Sequence, residues 1–557
     1  MTRRSDRERQ DGYVAVMVAL LAIVLFGMAA FTVDVGRWYV TAKQEQRAAD
    51  AAALGGVPSL PGDPTGAYAI ARKLAAANDF THGEDTVKVE TGLDGQPTRL
   101  RVTVTKTLDN VFGGLLGVPK TTITRSAVAD YAGPVPLGSP CNEYGNDPED
   151  TGQRSAKCSD TGQFWANVGS PAAPKGNGDA FQNNACGSFD GCTTSSGPNV
   201  DYDPNGYIYT ITLTEPVSNL TIEAFDPALV DVGDLCTDDH KLAQASSLNP
   251  STHSDPKAVV ADPGTRYGAG PSNKFCTGDI SYNSKNGGFS KQVATSYTVR
   301  DPGPNPWDPL SSPVRSDCVG ARVYPGYSGD LSRMLDRSRP EFQTVTPGFG
   351  TGYVASVFRR WTTLCTIASA PAGTYMVQVK TNGLGVDTAG GHNRFALRAY
   401  STSDPSAKDD ISLSGYNKMA MYANLPDATT LFYLARVPSG AAGQILNVKL
   451  WDVGDSTNAG TIKVVAPADS GVDFTNCVGH GPSSGTLPSC QITAKSSTHN
   501  GKWQTISVPI PAGYTCDDTD GTKCWVRLSY AYGADNQPSD TTSWMASLEG
   551  DPVRLVE

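Results

Sequence analysis

Residues 13–33, YVAVMVALLAIVLFGMAAFTV, contain no charged side chain. At about 1.5 Å per residue, a helix of this length is roughly 30 Å long, which matches the hydrocarbon core of a bilayer. The first charge after the run is Asp34, and the aromatic pair Trp38 and Tyr39 follows where an interfacial belt would lie. The sequence therefore predicts an N-terminal transmembrane helix.

A cleaved signal peptide is the alternative for this segment, with small residues around Ala29 and Ala30 as its cleavage region. The apolar run is longer than the roughly 7–15 residues of a signal peptide's apolar core, which favours a retained anchor. No proline follows until Pro58, and good helix formers reach Leu54, so the helix is expected to continue outward. Its alanine-rich face would either receive another helix or pack on the chain's own domain.

The composition of the 557 residues excludes some classes of function. Lys and Arg number 45 against 56 Asp and Glu, and the net charge of −11 argues against nucleic acid as a partner. Binding nucleic acid needs a basic surface that displaces counterions. Charged residues make up only 18%, whereas glycine (58) and proline (38) are frequent, which favours turn-rich β domains. The length predicts several folded units.

All twelve cysteines lie beyond residue 140, which is typical of a region exposed to an oxidising compartment. Their spacings are too broad for a zinc site, so the sequence predicts disulfides, although it does not fix their pairing. Three pairs are close enough for local disulfides: Cys186 with Cys192, Cys477 with Cys490, and Cys516 with Cys524. The cysteines and the arginines before the apolar run place the N-terminus in the cytoplasm and the bulk outside the cell membrane.

Three stretches near the N-terminus resemble the TadE/TadG-like family, which is associated with Flp (Tad) pilus assembly: GYVAVMVALL from Gly12, VDVGRWY from Val33 and QRAADAAALGG from Gln46. The motif residues are Asp34, Gly36, Arg37 and Asp50. Processed pseudopilins of this group have a glutamate where Met17 stands here, which favours the unprocessed TadG-like branch. The resemblance implies a role in a surface apparatus, with the membrane and other Tad pilus-assembly proteins as partners.

The residue pattern predicts an N-terminal transmembrane helix, a small α+β domain and then a mainly β chain of two sandwich- or jelly-roll-like units. The predicted segments are a cytoplasmic tail at 1–12, the transmembrane helix and its continuation at 13–56, the α+β domain at 57–132, a Cys/Gly/Pro-rich linker at 133–200, a β-sandwich with a long loop insertion at 201–403, and a second β-sandwich or jelly roll at 404–557.

One loop has the residue types of a calcium site. Asp201, Asp203 and Asn205 place oxygen atoms at alternate positions before Gly206, as in the first half of a calcium-binding loop. Thr212 stands where the bidentate glutamate would be, so a turn that enters a strand is the alternative. Calcium is the one candidate cofactor, and otherwise none is predicted.

Residues 481–485, GPSSG, match the string of a serine-hydrolase elbow around Ser483. Their Gly/Ser-rich surroundings lack the strand-to-helix turn that this motif requires, so the chain is not predicted to be an enzyme. The sequence leads to a non-enzymatic, single-pass, membrane-anchored surface protein of TadG-like type. The alternative is a cell-surface binding or adhesion protein with a carbohydrate- or calcium-dependent β-sandwich module.

Overall fold

The computed structural model describes most of the chain in segments: residues 5–60, 64–95, 99–131, 135–147, 151–158, 164–186, 192, 197–225, 294–303, 309–318, 322–325, 343–346, 350–353, 361–381, 391–424, 429–455, 458–532, 539–548 and 553–556. They divide into two compact units. Unit 1 contains the described residues of 1–133 and 551–557, and unit 2 contains those of 134–303 and 308–550.

Unit 1 is built on one long helix, α1 (Ser5–Gly56). A 3-10 turn (Val57–Ser59) and a second helix, α2 (Pro64–Ala77), follow it. Its strands are β1 (Val87–Leu93), β2 (Arg99–Asp109), β3 (Lys120–Tyr131) and the C-terminal strand (Val553–Leu555). They form an antiparallel sheet in that order, and a 3-10 helix (Gly113–Leu116) connects β2 to β3. The helix and strands predicted for 57–132 are therefore present.

Alanines let the helices of unit 1 approach its sheet closely. The side chains buried at this contact are Ala48, Ala49, Ala52 and Ala53 of α1, Ala67, Ala71 and Ala75 of α2, and Val89, Leu100, Val102 and Val104 of the sheet. Of the two alternatives for the alanine-rich face, the structure has the one in which it packs on the chain's own domain.

The N-terminal part of α1 has the opposite environment. By length and composition, the helix from Tyr13 is apolar enough to cross a membrane, and none of its most apolar 18-residue window is buried within the chain. Large side chains such as Ile23 and Phe26 are mostly exposed. Exposed apolar surface of this extent is available to lipid. The predicted apolar helix is therefore present as one unbroken element with two different environments.

Unit 2 consists mainly of antiparallel strands. They are β4 (Pro136–Leu137), β5 (Glu143–Tyr144), β6 (Phe164–Gly169), β7 (Tyr207–Leu213), β8 (Val217–Phe225), β9 (Ala294–Arg300), β10 (Arg322–Pro325), β11 (Gln343–Thr346), β12 (Gly350–Tyr353), β13 (Trp361–Ala370), β14 (Gly373–Thr381), β15 (His392–Ser401), β16 (Ile411–Tyr416), β17 (Lys418–Asn424), β18 (Thr429–Arg436), β19 (Ile445–Trp451), β20 (Gly460–Val465), β21 (Cys477–His480), β22 (Gly485–Leu487), β23 (Gln491–Ala494), β24 (Trp503–Pro509), β25 (Trp525–Ala531) and β26 (Ser539–Leu548). A short helix, α3, covers Ser496–His499, and 3-10 turns cover Ala156–Cys158, Lys175–Asn177, Pro309–Ser311, Ser316–Cys318, Ala407–Asp409 and Ser439–Ala441.

Most of these strands belong to two large sheets. One has ten strands in the order β10-β9-β14-β7-β16-β4-β18-β25-β20-β23. The other has eleven, in the order β13-β8-β15-β6-β17-β26-β19-β24-β21-β22, with β5 paired to β15, while β11 and β12 pair separately. Aromatic rings join the sheets, because Tyr209 of β7 meets Phe395 of β15 at 5.7 Å and Phe432 of β18 meets Phe164 of β6 at 5.8 Å. The two sheets therefore pack as a sandwich around one apolar core.

Strands from both predicted β units, 201–403 and 404–557, occur in each large sheet. The strand β7 pairs with β16, so the two sequence regions are joined by backbone hydrogen bonds. The 133–200 region, predicted as a linker, contributes β4 to β6, and all six residues of β6 are buried. The strand β6 is short and flanked by turn residues, so its sequence shows too little alternation of apolar and polar residues to predict a strand. The predicted loop insertion, with Cys236 and Cys276, falls largely outside the described residues.

The ten cysteines in the described part of the chain form five disulfides. The pairs are Cys141–Cys158, Cys186–Cys192, Cys318–Cys365, Cys477–Cys490 and Cys516–Cys524. Three of them are the local pairs that spacing had singled out. All five lie in unit 2, so the crosslinks stabilise the β-sandwich and not the helical unit.

Candidate functional site

The carboxylate of Asp34 lies at the end of the uncharged run and is almost fully buried. It accepts three backbone N–H groups, from Val111 (2.8 Å), Phe112 (2.9 Å) and Gly113 (2.7 Å). These donors open the 3-10 helix between β2 and β3, which has no side-chain cap of its own. Asp34 therefore caps that helix from a different element, through charge-assisted hydrogen bonds.

Two further residues of α1 bind in the same region: Arg37 contacts the end of β2, and Trp38 contacts the β2–β3 connection, residues 110–119, which we call the junction loop. The Arg37 guanidinium donates to the carbonyl of Asp109 at 3.2 Å. The Trp38 indole N–H donates to Asn110 Oδ1 at 2.8 Å, and the Asn110 amide in turn donates to the carbonyl of Val118. The VDVGRW segment therefore holds the junction loop through side chains on consecutive turns of one helix.

Of the remaining motif residues, Asp50 has a contact that explains its role, and Gly36 does not. Asp50 accepts a hydrogen bond from Gln46 Nε2 at 2.8 Å, and the same Gln46 amide donates to the carbonyl of Ser126 in β3. The second motif therefore fastens α1 to the sheet. A Cβ on Gly36 would meet nothing within 4 Å, so contacts within this chain do not explain its glycine. Gly113 is explained, because a Cβ there would lie 2.8 Å from the carbonyl oxygen of Val118.

Glu45 is a buried acid that sequence reasoning missed. Its side chain has no exposed surface, and neither carboxylate oxygen has a hydrogen-bond partner among the described residues. Burial raises the pKa of Glu45 to about 7, although the positive charges of Arg125 and Lys106 oppose this shift. The detectable signal was an acid at the start of the alanine-rich part of α1. This carboxyl group titrates near neutral pH against the sheet of unit 1.

The predicted calcium loop in unit 2 is occupied by lysine contacts. Lys175 Nζ lies 2.6 Å from Asp201 Oδ2, and Lys418 Nζ donates to Asp203 Oδ2. Asn205 donates its backbone N–H to the other oxygen of Asp203, as in an Asx turn. Burial opposes ionisation of Asp203, but the Lys418 and Asn205 hydrogen bonds outweigh it and lower its pKa. A calcium ion here would compete with two ammonium groups for these carboxylates.

A second group of ligand-type residues contains Asp469, Cys516 and Cys524. The two sulfur atoms are joined in a disulfide and so are not thiolate ligands. The carboxylate of Asp469 accepts the backbone N–H of Cys524 and of Asp517. These contacts position the disulfide loop.

Ser483 lies next to a histidine that is remote in sequence. Its Oγ is 3.2 Å from His499 Nε2, while His499 Nδ1 accepts the backbone N–H of Lys495 at 3.3 Å. Thr498 Oγ1 lies closer to the same Nδ1 atom, at 2.8 Å. The pair connects the 481–485 loop to α3.

The eleven-stranded sheet also carries a buried charged cluster. Arg398 donates from Nε and Nη2 to Glu223 Oε2 at 2.8 and 2.6 Å, and its guanidinium lies 4.1 Å from the Trp361 ring. The Trp361 indole donates to Asp147 at 2.8 Å. Burial and the neighbouring Asp147 raise the pKa of Glu143 to about 8, so its neutral form is favoured at pH 7. Because these side chains are buried and interconnected, the cluster joins strands β8, β13 and β15.

Residues 12–69 match the Tad family model, described as Flp pilus-assembly TadE/G-like. The matched segment includes the apolar helix, Asp34, the alanine-rich face and the start of α2, so the predicted TadG-like N-terminal module is confirmed. The chain matches no curated protein and no solved structure.

Replacing Asp34 with asparagine is expected to destabilise the junction loop by roughly 2–4 kcal/mol, because charge-assisted hydrogen bonds are lost. Hydrogen exchange of the full chain in detergent micelles should show faster exchange of the amides of residues 111–113. The matched control is Asp50→Asn, whose side chain accepts one hydrogen bond within α1 and should leave these amides unchanged. Equal exchange in Asp34→Asn and the parent would contradict the capping role.

Glu45 is expected to make unit 1 less stable as the pH rises. In the folded chain it stays protonated up to about pH 7, whereas its ordinary pKa is 4.5, so the folded state binds more protons between these values. The free energy of unfolding should fall over that range, by an amount on the order of 2–3 kcal/mol, and level off above it.

Pulse proteolysis in urea, with fragments of unit 1 followed by mass spectrometry at pH 5 and pH 8, measures this dependence. Glu45→Gln should flatten it and raise stability at pH 8, whereas Asp50→Asn should keep the parent's pH dependence. An unchanged pH dependence in Glu45→Gln would show that another group is responsible.

Proposed function

We propose that this chain is a non-enzymatic, single-pass membrane protein that presents unit 2 on the extracytoplasmic side, as a TadG-like component of a Flp/Tad pilus-assembly or related surface apparatus. The match to the Tad model and the apolar helix support a Tad-associated membrane protein. The contacts of α1 support the role in the apparatus, and the disulfides of unit 2 support the orientation.

The observation that carries the proposal is the division of α1 between two environments. Its first part exposes apolar side chains such as Phe26, and its last turns bury Ala48, Ala49, Ala52 and Ala53 in the core of unit 1. No flexible linker separates these parts, because α1 is helical from Ser5 to Gly56. The membrane anchor and the folded unit are therefore one rigid element, which suits a scaffold component that must hold a fixed attachment.

The disulfides support the orientation. Five pairs in unit 2 require an oxidising compartment to form and persist, and such a compartment lies outside the cytoplasm. With one membrane crossing, the residues before Tyr13 are then cytoplasmic. The arginines of this N-terminal segment agree with that placement.

Two sites were candidates for other functions. The arrangement of Ser483 and His499 favours a structural contact, and Asp201 and Asp203 are paired with lysines. Neither supplies a specific observation for an enzyme or for a calcium-dependent adhesin. The scaffold role is therefore the function that we advance, and carbohydrate binding by unit 2 stays an alternative without a located site.

Protease treatment of intact host cells tests the orientation. Proteinase K should remove unit 2 and leave a protected fragment that contains the apolar run 13–33, because the disulfide-bonded region faces outward. Lysed cells, in which the N-terminal residues are also accessible, provide the control. Full-length protein that survives in intact cells and is cleaved only after lysis would reverse the proposed topology.

Deletion of the gene and complementation test the role. In a host that assembles Flp pili, deletion should reduce the pili seen by electron microscopy, and the parent chain should restore them. Ser483→Ala should restore them equally, because the proposal requires no catalysis. Unchanged piliation after deletion would contradict an assembly role, and failure of Ser483→Ala alone, with normal surface levels of the protein, would contradict the non-enzymatic one.

A further inference from the structure

We propose that the junction loop inserts into the lipid–water interface of the membrane that α1 crosses, so that unit 1 contacts the bilayer at a second point. This inference rests on the proposed membrane anchor and adds a specific lipid-binding surface to it. It follows from the level of the loop along α1, its composition and its exposed side chains.

The length of the apolar run fixes the level of Asp34. Residues 13–33 span roughly 30 Å as a helix, which leaves little excess over a hydrocarbon core of about 30 Å. Asp34 therefore lies at the outer edge of that core. Its oxygens are 2.7–2.9 Å from the backbone nitrogens of residues 111–113, so the start of the junction loop lies at the same level.

Two more hydrogen bonds prevent the loop from moving away from this level. Trp38, about one helical turn beyond Asp34, donates to Asn110 at the beginning of the loop. Asn110 donates to the carbonyl of Val118 near its end, which closes the loop on itself. Both ends of the junction loop are thus tied to the helix segment that leaves the membrane.

The composition of the junction loop suits the interface. Its sequence, NVFGGLLGVP, contains no charged residue and five large apolar ones, whereas exposed loops are usually polar. Val111 is 56% exposed and Val118 is 50% exposed, so about half of the surface of each residue is available to lipid. The first charges occur at the base of the loop, where Asp109 and Lys120 form an exposed ion pair at 3.4 Å.

Lipid is the occupant that this position favours. The exposed apolar surface of residues 13–33 needs a bilayer around it, and the junction loop begins where that surface ends. On α1 itself, Val35 and Tyr39 are also exposed just beyond Asp34. Tyrosine is enriched at this depth because its ring is apolar and its hydroxyl is hydrated. Exposed apolar side chains of the loop and of α1 therefore both occur where the apolar run ends.

A loop that is in contact with lipid limits how unit 1 can move. A single helix crossing a bilayer is free to rotate about its axis and to tilt. An inserted loop on one side of the helix removes part of that freedom, because tilting the helix toward or away from the loop would push the loop deeper or lift it out of the interface. The consequence is a defined face of unit 1 toward the membrane.

Depth-dependent tryptophan quenching tests the proposal. The full chain, as Val118→Trp and separately as Val111→Trp, is reconstituted in vesicles of phosphatidylethanolamine and phosphatidylglycerol. One set of vesicles carries bromine atoms on the acyl chains close to the headgroup. After subtraction of the parent's emission, each new tryptophan should emit at a blue-shifted wavelength and be several-fold more quenched by the brominated lipid than the control.

The matched control is Val200→Trp, which replaces a highly exposed valine of unit 2. If both loop tryptophans emit as in water and resist quenching while the protein floats with the vesicles, the anchor stands and the loop insertion is wrong. The exposed valines would then be available to contact a protein partner. If the protein does not float with the vesicles at all, the anchor fails and the inference fails with it.

Discussion

A carboxylate that follows a membrane span must be solvated by water or by hydrogen-bond donors of the protein. Asp34 is solvated by the protein, because three backbone N–H groups of the junction loop donate hydrogen bonds to its two oxygens. The rest of unit 1 depends on this arrangement, because it fixes the β2–β3 connection against α1 at the point where the helix leaves its apolar part. The alanines further along the helix then meet the sheet in a single register.

The two parts of α1 have side chains suited to two different environments. Where lipid surrounds it, large branched and aromatic side chains point outward in all directions, and where the sheet covers it, small side chains allow close approach. Glu45 is the exception on the buried part, because its carboxyl group has no hydrogen-bond partner among the described residues. A buried acid without partners is destabilising in its charged form, so its retention makes unit 1 sensitive to the protonation of one group.

Much of unit 1 could be predicted from the sequence, whereas little of the strand arrangement of unit 2 could be. The apolar run, the VDVGRW and QRAADAAAL motifs and the helix and strands of the α+β region are local patterns, and the structure has helical and strand elements in those places. The partners of Asp34 were not predictable, since backbone donors carry no residue signature. The strand β6 was not predicted because it is short. The order of strands in the sheets was not predictable because it depends on pairings between residues that are distant in sequence, such as β7 with β16. The lysines beside Asp201 and Asp203 are likewise remote in sequence.

The C-terminal strand has a consequence for biogenesis. Val553, Arg554 and Leu555 pair with Tyr131, Asp130 and Ala129 of β3, although all of unit 2 lies between them in the chain. During synthesis, the sheet that packs on α1 therefore keeps an open edge at β3 until residues 553–555 have been made. Unpaired edges invite association with other strands. Unit 1 is therefore completed only after the strands of unit 2 have been synthesised, and a chain that stops before Val553 lacks the edge partner of β3.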